Sequence, residues 1–216
     1  MTPEIEPLWA TLYDEVVNLH AYWIIYEQLF GKSRVRYELL YASARNLFLV
    51  VEDGIGTDIQ LTLAKLSDPP AMGGYQNATL SRLLEDVARI TGNDPLVSRI
   101  ESYLAEFRAA CGPIRDRRNR LIAHSDLSTV LKDGSRPALP APTIQEIEVA
   151  LLALRNFMNT ISRVFGETET AFEHFLSRED GDDLVHLLKM GQRYNRLQES
   201  GGIPWNDLEQ SEYRDA

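Results

Sequence analysis

At 216 residues, 44% of them hydrophobic, the chain can bury a substantial core and lies near the top of the usual single-domain range. A formal charge of −10 excludes broad electrostatic adhesion to nucleic acid or an anionic membrane, so any nucleic-acid contact has to be local. One cysteine, Cys111, excludes an intramolecular disulfide, and no Cys/His cluster has the spacing of a zinc site.

The N-terminus opens Met-Thr-Pro-Glu-Ile-Glu, acidic where a signal peptide is basic, and no apolar run approaches membrane-spanning length. The expectation is a soluble, cytoplasmic protein with no membrane partner. Apolar residues at 5, 8, 9, 12, 16, 19 and 23 predict a helix from Pro3 to Phe30, stopped by Gly31. A second helix is predicted from Arg34 to Leu66, with kink points at Gly54 and Gly56 and an end at Ser67-Asp-Pro-Pro70. Asn77 is the expected cap of a third helix running to Ile90, and Asp94-Pro95 opens a fourth that runs to Cys111. Gly112-Pro113 then restarts the helix, which puts Arg115 to His124 at the opening of a new segment. Cys111, between Ala110 and that break, reads as a packed small hydrophobe rather than a nucleophile.

Residues 127 to 142 carry Gly134, Pro137, Pro140 and Pro142 and read as a loop. Thr143-Ile-Gln-Glu146 has the form of a capping box, followed by the seam Ile144, Ile147, Leu151, Leu154, Met158, Ile161 and Phe165. Whether that seam meets another helix of the same chain or a second subunit is open at this point. Two shorter helical patterns flank Gly181 between Thr168 and Leu197, and the stretch from Glu199 is polar. With no strand alternation and no repeat, the chain reads as all-α, an antiparallel helical bundle with long N-terminal helices and a C-terminal helical appendage.

The chemistry concentrates in Arg115-Asp-Arg-Arg-Asn-Arg-Leu-Ile-Ala-His124, where four arginines fall within six residues of an otherwise acidic chain. Forked guanidinium donors match phosphate oxygens, so Arg115, Arg117, Arg118 and Arg120 form a credible phosphodiester clamp. A solvated helix face paired with Asp116 and Asp126 accounts for the same arginines. His124 adds a group that takes or gives a proton near neutral pH. On a straight helix Arg117 and Arg120 share its face, whereas Arg118 reaches it only if the helix starts irregularly or a second subunit completes the site.

Arg118-Asn119-Arg-Leu-Ile-Ala-His124 resembles the arginine, polar residue, spacer and histidine signature of the HEPN superfamily, helical-bundle proteins that include many metal-independent endoribonucleases of toxin–antitoxin and abortive-infection systems. The N-terminal helices, the stretch Ile59-Gln-Leu-Thr-Leu-Ala-Lys-Leu-Ser-Asp-Pro69 and the Arg-Asn…Ala-His segment are most similar to the abortive-infection U-type subgroup, across residues 5 to 165. The resemblance implies Arg118 as phosphate ligand, Asn119 as orienting residue and His124 as proton-transfer group, with Arg120 an alternative to Arg118. It implies residues 1–166 as the HEPN-like bundle and 167–216 as a helical appendage and polar tail on the same domain. It further implies RNA as substrate, a homodimer that joins two motifs, a neutralising antitoxin protein, and neither metal nor cofactor. A non-catalytic helical dimer binding RNA, a nucleotide or an acidic protein is the competing expectation, and a purely structural role for Arg118 and His124 the third.

His20, His174 and His186 are isolated and read as surface or core residues. Trp9, Trp23 and the tyrosines at 13, 22, 26, 37 and 41 lie on amphipathic helices, where core or interface anchoring is the plainer role than base stacking.

Overall fold

The computed structural model describes residues 1–92, 95–122, 127, 131, 139–174 and 180–207. Helix α1 (Glu6–Tyr26) forms where Leu12, Val16, Leu19 and Trp23 recur at steps of three and four, and all four are buried. It passes into a π-helical turn, Glu27–Gly31, closed by the Lys32 amide donating to the Glu27 carbonyl at 3.0 Å. Helix α2 is Arg34–Leu66, α3 is Leu80–Thr91, α4 is Pro95–Ala110, α5 is Gly112–Arg117, α6 is Ile144–Val164 and α7 is Gly181–Glu199. The chain is all-α, a helical bundle in which the described residues form one minor sheet, β1 (Ala71–Met72) paired antiparallel with β2 (Tyr75–Gln76). Strands this short carry no alternation to read. Gly73 and Gly74 make their two-residue turn because it needs positive φ at both positions, here 59° and 86°.

Two compact units are present: Met1–Ile24 with Gly54–Phe175, and Ile25–Asp53 with Leu176–Ala216. In the first, α6 packs along α4 and α4 packs on α3. Ile147, Leu151, Leu154, Phe157, Met158 and Ile161 of α6 are buried in that core with Ile100, Leu104 and Phe107 of α4. At roughly 1.5–3 kcal/mol per fully buried large apolar side chain, this is the main stabilising layer of the unit. The seam residues from Ile147 to Ile161 therefore find their partner inside the chain, while Ile144 is exposed and Phe165 lies past the helix end. The capping box forms as expected, with Thr143 Oγ1 accepting from the Glu146 amide at 3.2 Å and Glu146 accepting from the Thr143 amide at 2.7 Å. Trp23 donates its indole N–H to Glu148, which ties α1 to α6.

In the second unit Leu29, Leu39, Leu40, Phe48 and Val185 form a small core. Asp180 caps α7, accepting from the amides of Asp182 and Asp183 at 2.9 and 3.3 Å. Gln28 donates to Asp180 at 2.8 Å and accepts from the Gly181 amide at 3.0 Å. A Cβ at Gly181 would lie 3.0 Å from that of Gln28, so the close approach needs glycine. Lys32 and Arg36 both pair with Asp182, and the Lys32 hydrogen bond first, then that of Arg36, holds its carboxyl below its ordinary value against the opposing effect of burial.

Several local expectations change. Helix α2 breaks at Ala44 (φ −157°, ψ 71°) rather than at the two glycines. On a straight helix Leu39 and Phe48 would face roughly opposite directions at 100° per residue, and the break lets both join one core. Thr79, not Asn77, caps α3 by accepting from the Arg82 amide at 3.4 Å. Asn77 instead secures the end of α2, donating from its side chain to Pro69 O at 3.0 Å and from its amide to Pro70 O at 2.8 Å. Residues 167–174 are turn and irregular structure, so among the described residues one helix, α7, stands where two patterns are expected, and 175–179 lie outside them. Leu127 and Leu131 are helical where the loop was read, while the Asp94 cap and most of 123–138 lie outside the described residues. No helix among the described residues is long and apolar enough to cross a membrane.

Candidate functional site

The arginine segment begins at a corner. Helix α4 ends at Ala110, Cys111 is buried beneath the junction, and Pro113 in the first turn starts α5 because its missing N–H is not needed there. Burial pushes the Cys111 thiol up to about 12, against a smaller opposing pull from Arg115, so it packs as a hydrophobe as expected. Buried Ile114 anchors α5. After Arg117 the backbone widens into a second π-helical turn, Arg118–Ile122. Straight-helix geometry consequently does not apply through this stretch, and single π turns often mark functional positions.

The arginines divide by what they touch. Arg118 donates from Nη1 to Asp68 Oδ2 at 2.7 Å and from Nε to Asn119 Oδ1 at 3.0 Å. Arg115 Nε lies 3.7 Å from Asp68 Oδ1, near enough to attract and too far to hydrogen-bond, and both atoms are buried without a hydrogen bond. Arg117 donates from Nη1 to the Leu139 carbonyl at 3.0 Å and so ties the segment to the approach to α6. Arg120 is half-buried and Asn119 exposed. His124, with Ala123, Ser125 and Asp126, lies outside the described residues.

Asp68, which the sequence marks as part of a helix stop and of the Ile59–Pro69 stretch but not as a site residue, is the carboxylate at the centre of this cluster. Its side chain is 12% exposed and that of Arg118 16%, so the pair sits where solvent screens it weakly. The corner that carries it is stitched from several sides. Asp68 N donates to Lys65 O at 3.2 Å, Ser67 Oγ donates to Ala64 O at 2.7 Å, and Ser81 Oγ donates to Asp68 O at 3.3 Å while accepting from Arg108. An acidic residue directly before two prolines at a helix end was the available signal, since the prolines restrict the backbone that aims it. Among the described residues no group of three His, Cys, Asp or Glu side chains could hold a metal ion.

The chain is thus an all-α bundle with an arginine cluster anchored at a helix restart. The family model HEPN_AbiU2, described as AbiU2, matches residues 3–187, and the chain belongs to this family. No curated protein and no solved structure matches the chain.

Proposed function

We propose that the chain is a metal-independent endoribonuclease of phage defence or stress response, with Arg118, Asn119 and His124 as its reacting group. The observation that carries this reading is the Arg118–Asn119 pair, joined at 3.0 Å on the segment that leads to His124 in a chain of the AbiU2 family. In the proposed reaction the RNA 2′-hydroxyl attacks the adjacent phosphorus and gives up its proton as the bond to the 5′-oxygen breaks. The departing oxygen takes a proton, and His124 serves one of these transfers. Guanidinium groups stabilise charge on the phosphoryl oxygens, with Arg118 at the reacting phosphate and Arg115, Arg117 and Arg120 supplying the field that gathers the strand. Products are a 2′,3′-cyclic phosphate and a 5′-hydroxyl. The scheme needs no metal, and a homodimer would bring two motifs to one cleft, with an antitoxin protein holding the activity in check.

Incubation of purified protein with mixed RNA in chelator, beside His124→Ala, tests the reading. Cleavage by the wild type and a loss of roughly 10²- to 10⁴-fold in the variant are expected. Equal rates from the two proteins, or a requirement for magnesium, would overturn it. A second reading, an RNA-binding module without cleavage, is favoured by one observation: Arg118 already donates two hydrogen bonds within the protein. Binding without cleavage in the same assay would establish it.

A further inference from the structure

The site contains a carboxylate that the transesterification scheme does not use. Asp68 lies fifty residues before Arg118, on the corner that ends α2, and its Oδ2 accepts from Arg118 Nη1 at 2.7 Å. Its Oδ1 is buried with no hydrogen bond, facing the equally unbonded Nε of Arg115 at 3.7 Å. Native structures rarely leave such a pair half made without a reason.

We propose that Asp68 is the positioning residue of this site, holding the Arg118 guanidinium in one orientation while leaving Arg115 loose enough to meet an incoming RNA phosphate. The proposal rests on the endoribonuclease reading given above. Two guanidiniums three residues apart repel each other, and one carboxylate between them offsets that repulsion while leaving the trio with net positive charge. Arg118 is fixed at two points, Asp68 and Asn119, and these bonds engage two of the five N–H donors of its guanidinium. A planar fork held in this way presents its other donors without an ordering cost on binding. Arg115 is different: its side chain is 37% exposed and its contact with Asp68 falls short of a hydrogen bond, so it can turn toward an anion at little loss. Asp68 is itself held by the Lys65 and Ser81 bonds to its backbone, which is what a fixed reference point requires.

Asp68→Asn and Asp68→Glu test this, each measured for kcat, KM and the salt dependence of binding to an RNA oligonucleotide. Asp68→Asn keeps shape and removes charge. It should release Arg118, lowering kcat roughly 10- to 100-fold, the scale of a misplaced reacting group. It should also bind RNA more tightly at low salt, with a log–log salt slope steeper by about 0.7, because one more positive charge faces the strand. Asp68→Glu should leave that slope unchanged and lower kcat, since the charge stays while the arm lengthens. A merely structural ion pair would instead lose kcat and binding together, in proportion to the folded fraction read by circular dichroism. That result, unchanged kcat in folded Asp68→Asn, or failure of both variants to fold would overturn the proposal. If the wild type binds RNA without cutting it, the nuclease reading fails while the salt slope still judges Asp68. If it binds no RNA, nitrogen NMR of the Arg118 guanidinium judges it: hindered rotation in the wild type and free rotation in Asp68→Asn are expected, and equal rotation in both would sink the idea.

Discussion

His20 donates its Nδ1 proton to the Val16 carbonyl one helical turn back, at 2.8 Å, and this leaves Nε2 buried with no hydrogen bond. The Phe172 ring packs beside it with centroids 5.3 Å apart. Burial lowers the His20 pKa from 6.5 to about 4, the Val16 bond opposing and Arg155 adding a smaller push. Because the folded value lies below the unfolded one, the unfolded chain binds a proton that the folded chain refuses between these limits. Stability is therefore whole above pH 6.5 and falls as pH drops toward 4, by on the order of 3 kcal/mol for this one group. Urea unfolding across that window should show a slope for the wild type that is one proton shallower in His20→Leu. Parallel curves would show that His20 titrates normally.

Gly54 lies exposed within α2, where a Cβ would meet nothing within 4 Å. Gly54→Ala should raise stability by about 0.5–1 kcal/mol, since the helical conformation needs no glycine there and the unfolded chain loses freedom. A drop in melting temperature would mean that the glycine serves a bend absent from this structure.

Phe157 on α6 is fully buried, and Phe157→Ala should cost about 3–5 kcal/mol through lost transfer energy and the cavity left behind. The loss should be the same at low and high protein concentration, because the seam closes on α4 within the chain. A penalty that fades as concentration rises would place the seam between subunits. Light scattering decides the proposed homodimer separately, and a monomer mass would remove the two-motif cleft.

Arg118 and Arg115 should separate in kinetics. Arg118→Ala should cut the cleavage rate about as far as His124→Ala, roughly 10²- to 10⁴-fold. Arg115→Ala should mainly weaken RNA binding and lower its salt slope by about 0.7. DNA of the same sequence should stay intact with every variant, because it lacks the 2′-hydroxyl nucleophile. Equal kinetic losses from the two arginine variants would show that anchoring by Asp68 gives Arg118 no separate role.

What the sequence made legible was local. The Thr143–Glu146 box and Pro113 at the start of α5 act through bonds and backbone limits within one turn, so residue order alone announces them. The break at Ala44 has no such signal, since it follows from bringing Leu39 and Phe48 to one core. Asn77 and Thr79 are both competent caps, and the backbone at the end of α2 recruits Asn77 first. The arginine cluster stood out by charge, but its carboxylate did not. Asp68 meets Arg118 only once the end of α2 and the turn after α5 are folded together, and a separation of fifty positions hides the pair from any pattern of spacing.

Cys111 gives that corner a built-in clock. It is the only thiol in the chain, wholly enclosed beside the first turn of α5, and protonated far above neutral pH. A thiol reagent can therefore reach it only during openings of the α4–α5 junction, so its labelling rate counts those openings with no probe introduced. Any ligand that settles on the arginines and steadies α5 will slow the clock. The chain can thus report occupancy of the site through a sulfur that takes no part in it.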